Sequence, residues 1–361
     1  MIAVFAAAKA VAIAALLAGI HFNFTPLHPW NQLVYTDSTA GSWLAFINWD
    51  GQHYLKLAIN GYPVPADPSA AFHPLFPALI ALGMLLGLNP IAAGLVVVTV
   101  CSALVFVLLA RLIPHDEKGP SSLWLLACFP TAFYLSVVYA EALFLAALLG
   151  LFWSLRAPER AGYALMCAAL LPLARGQGFW LIFPIVVAWI FKSVDRRSLA
   201  AASAGWVLGV ALYFGFFQWR YGDPFAGFAA QQAFVFRNAI ENLVDLPRFV
   251  DFLLKPPARF LDTVNSGLDK LMIAVSVLAL ALGIRRSPDL FVAATWACLA
   301  LLPALMGEGG SYARHALAAW ACFALAAGPA LKPGLKWAIL VPGFALQVCL
   351  AFYFGGNRWV G

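Results

Sequence analysis

A chain of 361 residues that is 63% hydrophobic and only 11% charged cannot clothe itself in polar surface, since a typical soluble domain carries about 25% charged residues. Composition therefore excludes a soluble one- or two-domain protein and points to an all-α polytopic membrane protein. The formal charge of +6 does not indicate nucleic acid, because the basic residues are dispersed between apolar blocks and form no continuous stripe.

Residues 4–22 make the first expected span. They lack a strongly basic leading region, and many spans follow, so a retained helix is expected here in place of a cleaved signal. A polar segment from Asn23 to Ala70 comes next, and with the stretch after it forms a first extracytoplasmic loop over 23–89. At its centre lies NWDGQHYLKLAINGY, Asn48 to Tyr62, followed by AFHPLFP at Ala71 to Pro77. A helix starting at Asp50 puts Asp50, His53 and Tyr54 on one face at i, i+3 and i+4. Trp49 and Tyr62 flank that face, as amphipathic aromatics do at a bilayer surface. The pattern suits either a wet pocket at the membrane face or an interfacial loop with aromatic anchors.

The apolar stretch 73–87 opens with two prolines. As a helix it would be about 22 Å long against a hydrocarbon core of about 30 Å, so it is expected to lie on the surface or re-enter without crossing. Further spans are expected at 90–112, 121–138, 142–156, 160–173, 177–192 and 199–219, then at 270–284, 288–306, 312–330 and 334–354, with a second long extracytoplasmic loop over 220–269. The whole of 1–361 reads as one transmembrane domain with about 11 spanning helices. The basic connections support that count: Arg111 with Lys118, Arg156 with Arg160, Lys192 with Arg196 and Arg197, Arg285 with Arg286, and Lys332 with Lys336 all fall on the cytoplasmic side if the N-terminus does. The six cysteines lie inside apolar runs without CxxC spacing, which suits packing better than disulfides or metal ligation.

That topology gathers the unusual polar residues on the outer side. Glu141, in VVYAEALF, is a carboxylate at a membrane boundary, costly unless paired or wet. Arg175, in LPLARGQGFW, stands against the charge bias, and pairs with a carboxylate such as Glu141 or with a phosphate. Gly176 and Gly178 beside it permit close backbone approach. The turn GEGGSYARHALAAW, 307–320, brings Glu308, Arg314 and His315 to the start of a span, where helix amides and a guanidinium suit a phosphate. His53 and His73 with Asp50 offer donors for a divalent ion, but the set is a weak metal signal, and hydrogen bonding to substrate is preferred. His21, His28 and His115 carry no such pattern.

WDGQHYLKLAINGY, AFHPLFP, FPTAFYLSVVYAEALFLAALLGLFW, ARGQG, GDPFAGFAAQ and SYARHAL, in that order from Trp43 to Ala318, resemble the PIG-V family of mannosyltransferases, which belong to the polyprenyl-phosphate-sugar-dependent glycosyltransferases of GT-C type. SYARHA departs from the family's proline before an Arg-Tyr pair. The resemblance implies a GT-C fold, Asp50 as the catalytic acidic residue of the first loop, and surface-lying helices in that loop. It also implies a polyprenyl-phosphate sugar as donor and a glycolipid or glycan as acceptor. The setting is the outer face of a bacterial inner membrane. On this reading Asp50 and Glu141 are the catalytic candidates. Trp49, Gln52, His53, Tyr54, His73, Tyr139, Arg175, Gln177, Arg314 and His315 contact substrate, and no cofactor or metal is required. A transporter or lipid flippase would also account for many helices with buried ionisable groups, and a membrane scaffold for the hydropathy alone.

Overall fold

Every regular element in this computed structural model is helical among the described residues, 1–26, 32–114, 121–234, 239–262, 265–287, 289–306 and 311–360, apart from one isolated bridge between Arg259 and Ser266. Helices satisfy their own backbone, which a bilayer demands. In chain order the main helices are α1 (Ile2–Phe22), α2 (Asp50–Asn60), α3 (Leu75–Leu85), α4 (Pro90–Leu112), α5 (Ser122–Ala127), α6 (Glu141–Ser154) and α7 (Ala161–Ala174). They continue with α8 (Ile182–Phe191), α9 (Arg196–Tyr221), α10 (Gly267–Gly283), α11 (Leu290–Met306), α12 (Tyr312–Ala326) and α13 (Pro333–Gly355). Four of these, α1, α4, α9 and α13, are long and apolar enough to cross a membrane, with shorter apolar helices beside them. The protein is an integral-membrane protein. Lys118, His28 and His115 lie outside the described residues.

Local chemistry sets the helix ends. Asn89 caps α4 through a 2.8 Å bond from Ala92 N–H to its Oδ1, with Pro90 in the first turn. Asp195 caps α9 in the same way through Ser198 N–H, and Gly222 ends that helix at φ +70. The stretch 73–87 yields only the eleven residues of α3, about 16 Å at 1.5 Å per residue. Phe76, Pro77 and Ile80 are buried on it, while Leu82 and Leu85 are exposed.

One expected span takes a different form. Residues 121–138 are not a continuous helix: α5 stops at Ala127, and a 3-10 turn follows at Ala132–Ser136. Pro130 between them cannot donate to a helical ladder. The segment is nevertheless buried, so its freed backbone groups need partners. Neighbouring helices supply them. Leu135 C=O accepts from Lys9 Nζ of α1 and from Ser102 Oγ of α4, and Leu125 C=O accepts from Trp320 Nε1 of α12 at 2.8 Å. Val138 N–H donates to Phe46 C=O at 2.8 Å. A buried strap carrying one 3-10 turn thus leads to Tyr139 and Glu141.

The core is built around α6 and α12, which are buried on nearly all sides, as a helix at the centre of a bundle must be. Close backbone contacts join the surrounding helices in pairs. Gly205 and Gly209, one GxxxG pair on α9, face Leu165 C=O and Ala169 C=O of α7, where an added Cβ would come within 2.1 and 2.3 Å of the oxygens. Gly19 of α1 faces Phe352 C=O of α13, and Gly355 of α13 faces Leu16 C=O of α1, in the same way. Replacing Gly209 with Leu is expected to force α7 and α9 apart, at a cost of about 1–3 kcal/mol. Lower thermal melting of the purified variant would register it, and an unchanged melt would show that the helices separate freely.

Candidate active site

Four helix ends converge at one end of the bundle. Asp50 is the first residue of α2 and Glu141 the first of α6; Arg175 caps the C-terminus of α7; Arg314 and His315 lie in the first turn of α12. Their side chains form one charged cluster. Arg314 Nη1 donates to Asp50 Oδ2 at 2.5 Å, and its Nε lies 3.2 Å from Glu141 Oε1. Arg175 Nη1 pairs with the same Glu141 oxygen, and its Nη2 donates to His315 Nδ1 at 3.2 Å. Side-chain exposure runs from 4% at Glu141 to 15% at Asp50. Charges this deep are tolerated because two carboxylates and two guanidiniums cancel. The helix N-termini of α2 and α6 also favour the carboxylate that each carries.

Tyr139 organises the Asp50 turn. Its hydroxyl donates to Asn48 C=O at 3.0 Å and accepts from Asp50 N–H at 3.1 Å, straddling Trp49. Trp49 sits at φ +56 and ψ −117, a conformation that costs about 1–3 kcal/mol in a non-glycine residue. Asn48 Nδ2 adds a 2.8 Å bond to Phe354 C=O at the end of α13. The rings of Tyr134 and Tyr139 lie 5.9 and 5.5 Å from the Arg314 guanidinium, within cation–π range.

The remaining candidates divide by what they touch. Tyr54 is buried edge-on against Phe72, Phe76 and Tyr139. His53 Nδ1 is 2.9 Å from Ser69 Oγ, and its ring stacks on Phe72. His73 donates through Nδ1 to Pro172 C=O at 2.7 Å, leaving buried Nε2 beside Gly176 without a hydrogen-bond partner among the described residues. Gln177 Nε2 reaches His315 C=O at 3.4 Å. Gln52 stands apart. Its Oε1 accepts from Val34 and Tyr35 N–H while its Nε2 donates to Tyr35 C=O, so its amide fastens the 34–35 backbone. Gly178 makes the close approach its type allows, with Leu171 C=O against its Cα.

Glu308 and the glycines at 307, 309 and 310 lie outside the described residues. The α12 amides expected to face a phosphate are engaged by a residue that the reading of motifs passed over. Asp269, fully buried on α10, accepts from Ala313 N–H at 2.7 Å and so fixes the turn that carries Arg314. It is a carboxylate at the edge of an apolar run, the same signal that marked Glu141. Among the described residues no group of three or more His, Cys, Asp or Glu is placed to hold a metal ion.

Burial pushes both loop histidines down from 6.5 to about 4; beside His53 Lys56 adds to this while Asp50 and Asp67 oppose it, and beside His73 Arg175 adds while the Pro172 carbonyl opposes it. The unfolded chain therefore binds more protons than the folded one between pH 6.5 and 4. The stability these neutral imidazoles contribute is complete above 6.5 and is lost as pH falls through that window. Up to about 3 kcal/mol per imidazole is involved. Melting temperature is expected to drop steeply from pH 7 to 4.5, and less steeply in His73→Asn. Parallel profiles for the two proteins would remove His73 from the effect.

No family model matches the chain, and no curated protein matches it. Among solved structures it is similar to an oligosaccharyltransferase of Archaeoglobus fulgidus, crystallised in complex with zinc and sulfate, at 16% identity and a TM-score of 0.48. The match covers 97% of this chain and 53% of that one, so the chain spans about half the length of the protein it matches.

Proposed function

We propose that the chain is a GT-C-type, PIG-V-like glycosyltransferase that moves a sugar, mannose by that resemblance, from a polyprenyl-phosphate carrier to a hydroxyl of a glycolipid or glycan acceptor. The site of action is the extracytoplasmic face of a bacterial inner membrane. The observation that carries the reading is the buried quartet Asp50, Arg314, Glu141 and Arg175, assembled from four helix ends at one end of an apolar bundle. A structural salt bridge needs two groups. Four, with Glu141 Oε2 and His73 Nε2 buried and lacking hydrogen-bond partners among the described residues, suit a site that takes polar ligands.

In the reaction, Asp50 accepts the proton of the acceptor hydroxyl as its oxygen attacks the anomeric carbon. The bond from that carbon to the phosphate oxygen breaks on the opposite face, inverting the configuration, and its electron pair leaves with the lipid phosphate. Arg175 and Arg314 neutralise that charge without reorganising, so no metal or other cofactor is required by this scheme. Arg314 has two duties. At rest it holds Asp50, and a phosphate competes for the same guanidinium, freeing the carboxylate to act as a base. Donor therefore binds before acceptor. The eleven-span arrangement with a cytoplasmic N-terminus belongs to this proposal. It is supported by the C-terminal ends of α1 and α13 meeting at the Asp50 side, where Thr25 N–H donates to Gly356 C=O at 3.0 Å.

The test is transfer by the purified protein in nanodiscs, from polyprenyl-phosphate mannose to lipids extracted from the source membrane. Failure of a folded protein to transfer, with movement of lipid or solute across vesicles, would replace this reading with a transporter.

A further inference from the structure

Between α9 and α10 the chain forms a short helix, Leu246–Leu254, none of whose nine residues is fully buried. Leu246, Val250, Leu253 and Leu254 recur at i, i+4, i+7 and i+8, the spacing of one helical face. All four are exposed, Leu254 by 78%. Arg248 and Asp251 lie off that stripe. The inner side is set by Phe249 and Phe252, which pack against the core of the bundle. Asp245 caps the helix through Arg248 N–H at 3.2 Å, which fixes its start.

Both ends of the segment are tied to helix ends on the face that carries the charged cluster. Before it, Asn242 Nδ2 donates at 2.9 Å to the carbonyl of Met306, the last residue of α11. After it, Lys255 C=O accepts from Nζ of Lys270, in the first turn of α10. The same ammonium lies 4.8 Å from the centre of the Phe252 ring. Asp269, next to Lys270, holds the start of α12. A helix pinned at both ends to one level runs along the rim of the bundle and does not stand out from it. Along α10 from Leu271 to Leu282, every exposed residue is apolar, as on a helix face turned to lipid. The stripe continues that surface to the rim, and Lys255 and Arg259 stand exposed just beyond it.

We propose that Leu246–Leu254 is an interfacial anchor whose partner is the lipid leaflet at the cluster's face. Its stripe lies about 5–10 Å deep, at the boundary of headgroups and acyl chains. The inference goes beyond sugar transfer and does not depend on it. Three observations select lipid as the occupant: the anchoring at the level of the helix ends, the continuity with the apolar face of α10, and the basic residues that follow, which suit headgroup phosphates. In water the stripe would leave four aliphatic side chains unpartnered on a helix only about 14 Å long. Through Lys270 and Asp269 the anchor sets the level at which the Arg314 turn stands relative to lipid.

The test places the photocrosslinker p-benzoylphenylalanine at Val250, or at Asp251, in the full chain in nanodiscs of a single phosphatidylcholine. On irradiation the Val250 position is expected to gain the mass of one phospholipid. The Asp251 position, turned about 100° around the helix, should gain it several times less. A second measurement is deuterium exchange of the 246–254 amides. Val250→Asp should speed it about tenfold, the scale of taking one aliphatic side chain from an apolar phase, with the melting temperature held. A stripe facing water would show no such change, because Val250 is exposed within the protein. Lipid yield at Val250 no higher than at Asp251, a crosslinked dimer in place of the lipid adduct, or unaltered exchange in folded Val250→Asp would overturn the anchor. None of those outcomes bears on the Asp50 test of transfer.

Discussion

Asp50→Asn is expected to fold, to bind donor, and to lose sugar transfer by about 10²–10⁴-fold, the range for a positioned general base. That is about 3–5 kcal/mol of transition-state stabilisation. The structure sharpens the expected kinetics. Asn keeps the size of Asp and the N–H bond to Tyr139, which is made by the backbone. It removes one negative charge from a cluster in which two carboxylates balance two guanidiniums. The cluster then carries a net positive charge, so binding of polyprenyl phosphate should hold or tighten while kcat collapses. A variant that merely damaged the site would weaken both. Asp50→Glu moves the carboxylate by about 1 Å, enough to cost about 10²-fold. The control is Asp223→Asn, whose exposed carboxylate accepts from Phe225 N–H, and which should leave transfer within about twofold by the rule for surface positions. Near-normal transfer by folded Asp50→Asn would end the proposed mechanism.

Much of this arrangement was legible because the bilayer makes polar residues conspicuous. Glu141 and Arg175 stand at the ends of apolar runs, Asp50 and Arg314 in polar stretches between spans, and the positive-inside rule is expected to gather all four on one side before any contact is known. The same cost argument offers Arg175 a carboxylate such as Glu141 or a phosphate, and the structure pairs it with Glu141. The helix starting at Asp50 was also legible from its spacing. The strap at 128–140 was not. Hydropathy sums composition over a window and cannot see that Pro130 breaks the ladder, or that Lys9, Ser102 and Trp320 lie across space to receive its carbonyls. Gln52 shows the converse limit: a polar residue inside a motif reads as a ligand contact, but its amide meets the backbone of Val34 and Tyr35. Asp269 acts through a partner 44 positions away, a distance at which spacing carries no signal.

Arg314→Gln is expected to destabilise the fold more than any other single change at the site. The guanidinium lies between Asp50 and Glu141 and against two tyrosine rings. Its loss leaves Glu141 with Arg175 and takes from Asp50 its guanidinium, and breaking a buried pair costs about 3–5 kcal/mol because a charge is left uncompensated. Arg314→Lys keeps the charge but has a single ammonium where the planar fork served two carboxylates, so it should fall between wild type and Arg314→Gln. The decisive variant is Glu141→Gln with Arg314→Gln. Removing one charge of each sign restores a neutral cluster of Asp50 and Arg175, so the double variant should melt above Arg314→Gln, with a coupling of about 1–3 kcal/mol for residues in direct contact. Transfer should stay absent in it, because the phosphate has lost one of the two guanidiniums that neutralise the leaving charge. Melting temperatures of the four proteins in nanodiscs, with polyprenyl-phosphate binding measured on each, close the cycle. A double variant no more stable than the sum of its parts would mean that charge balance does not hold this site together, and recovered transfer in it would remove Arg314 from the reaction.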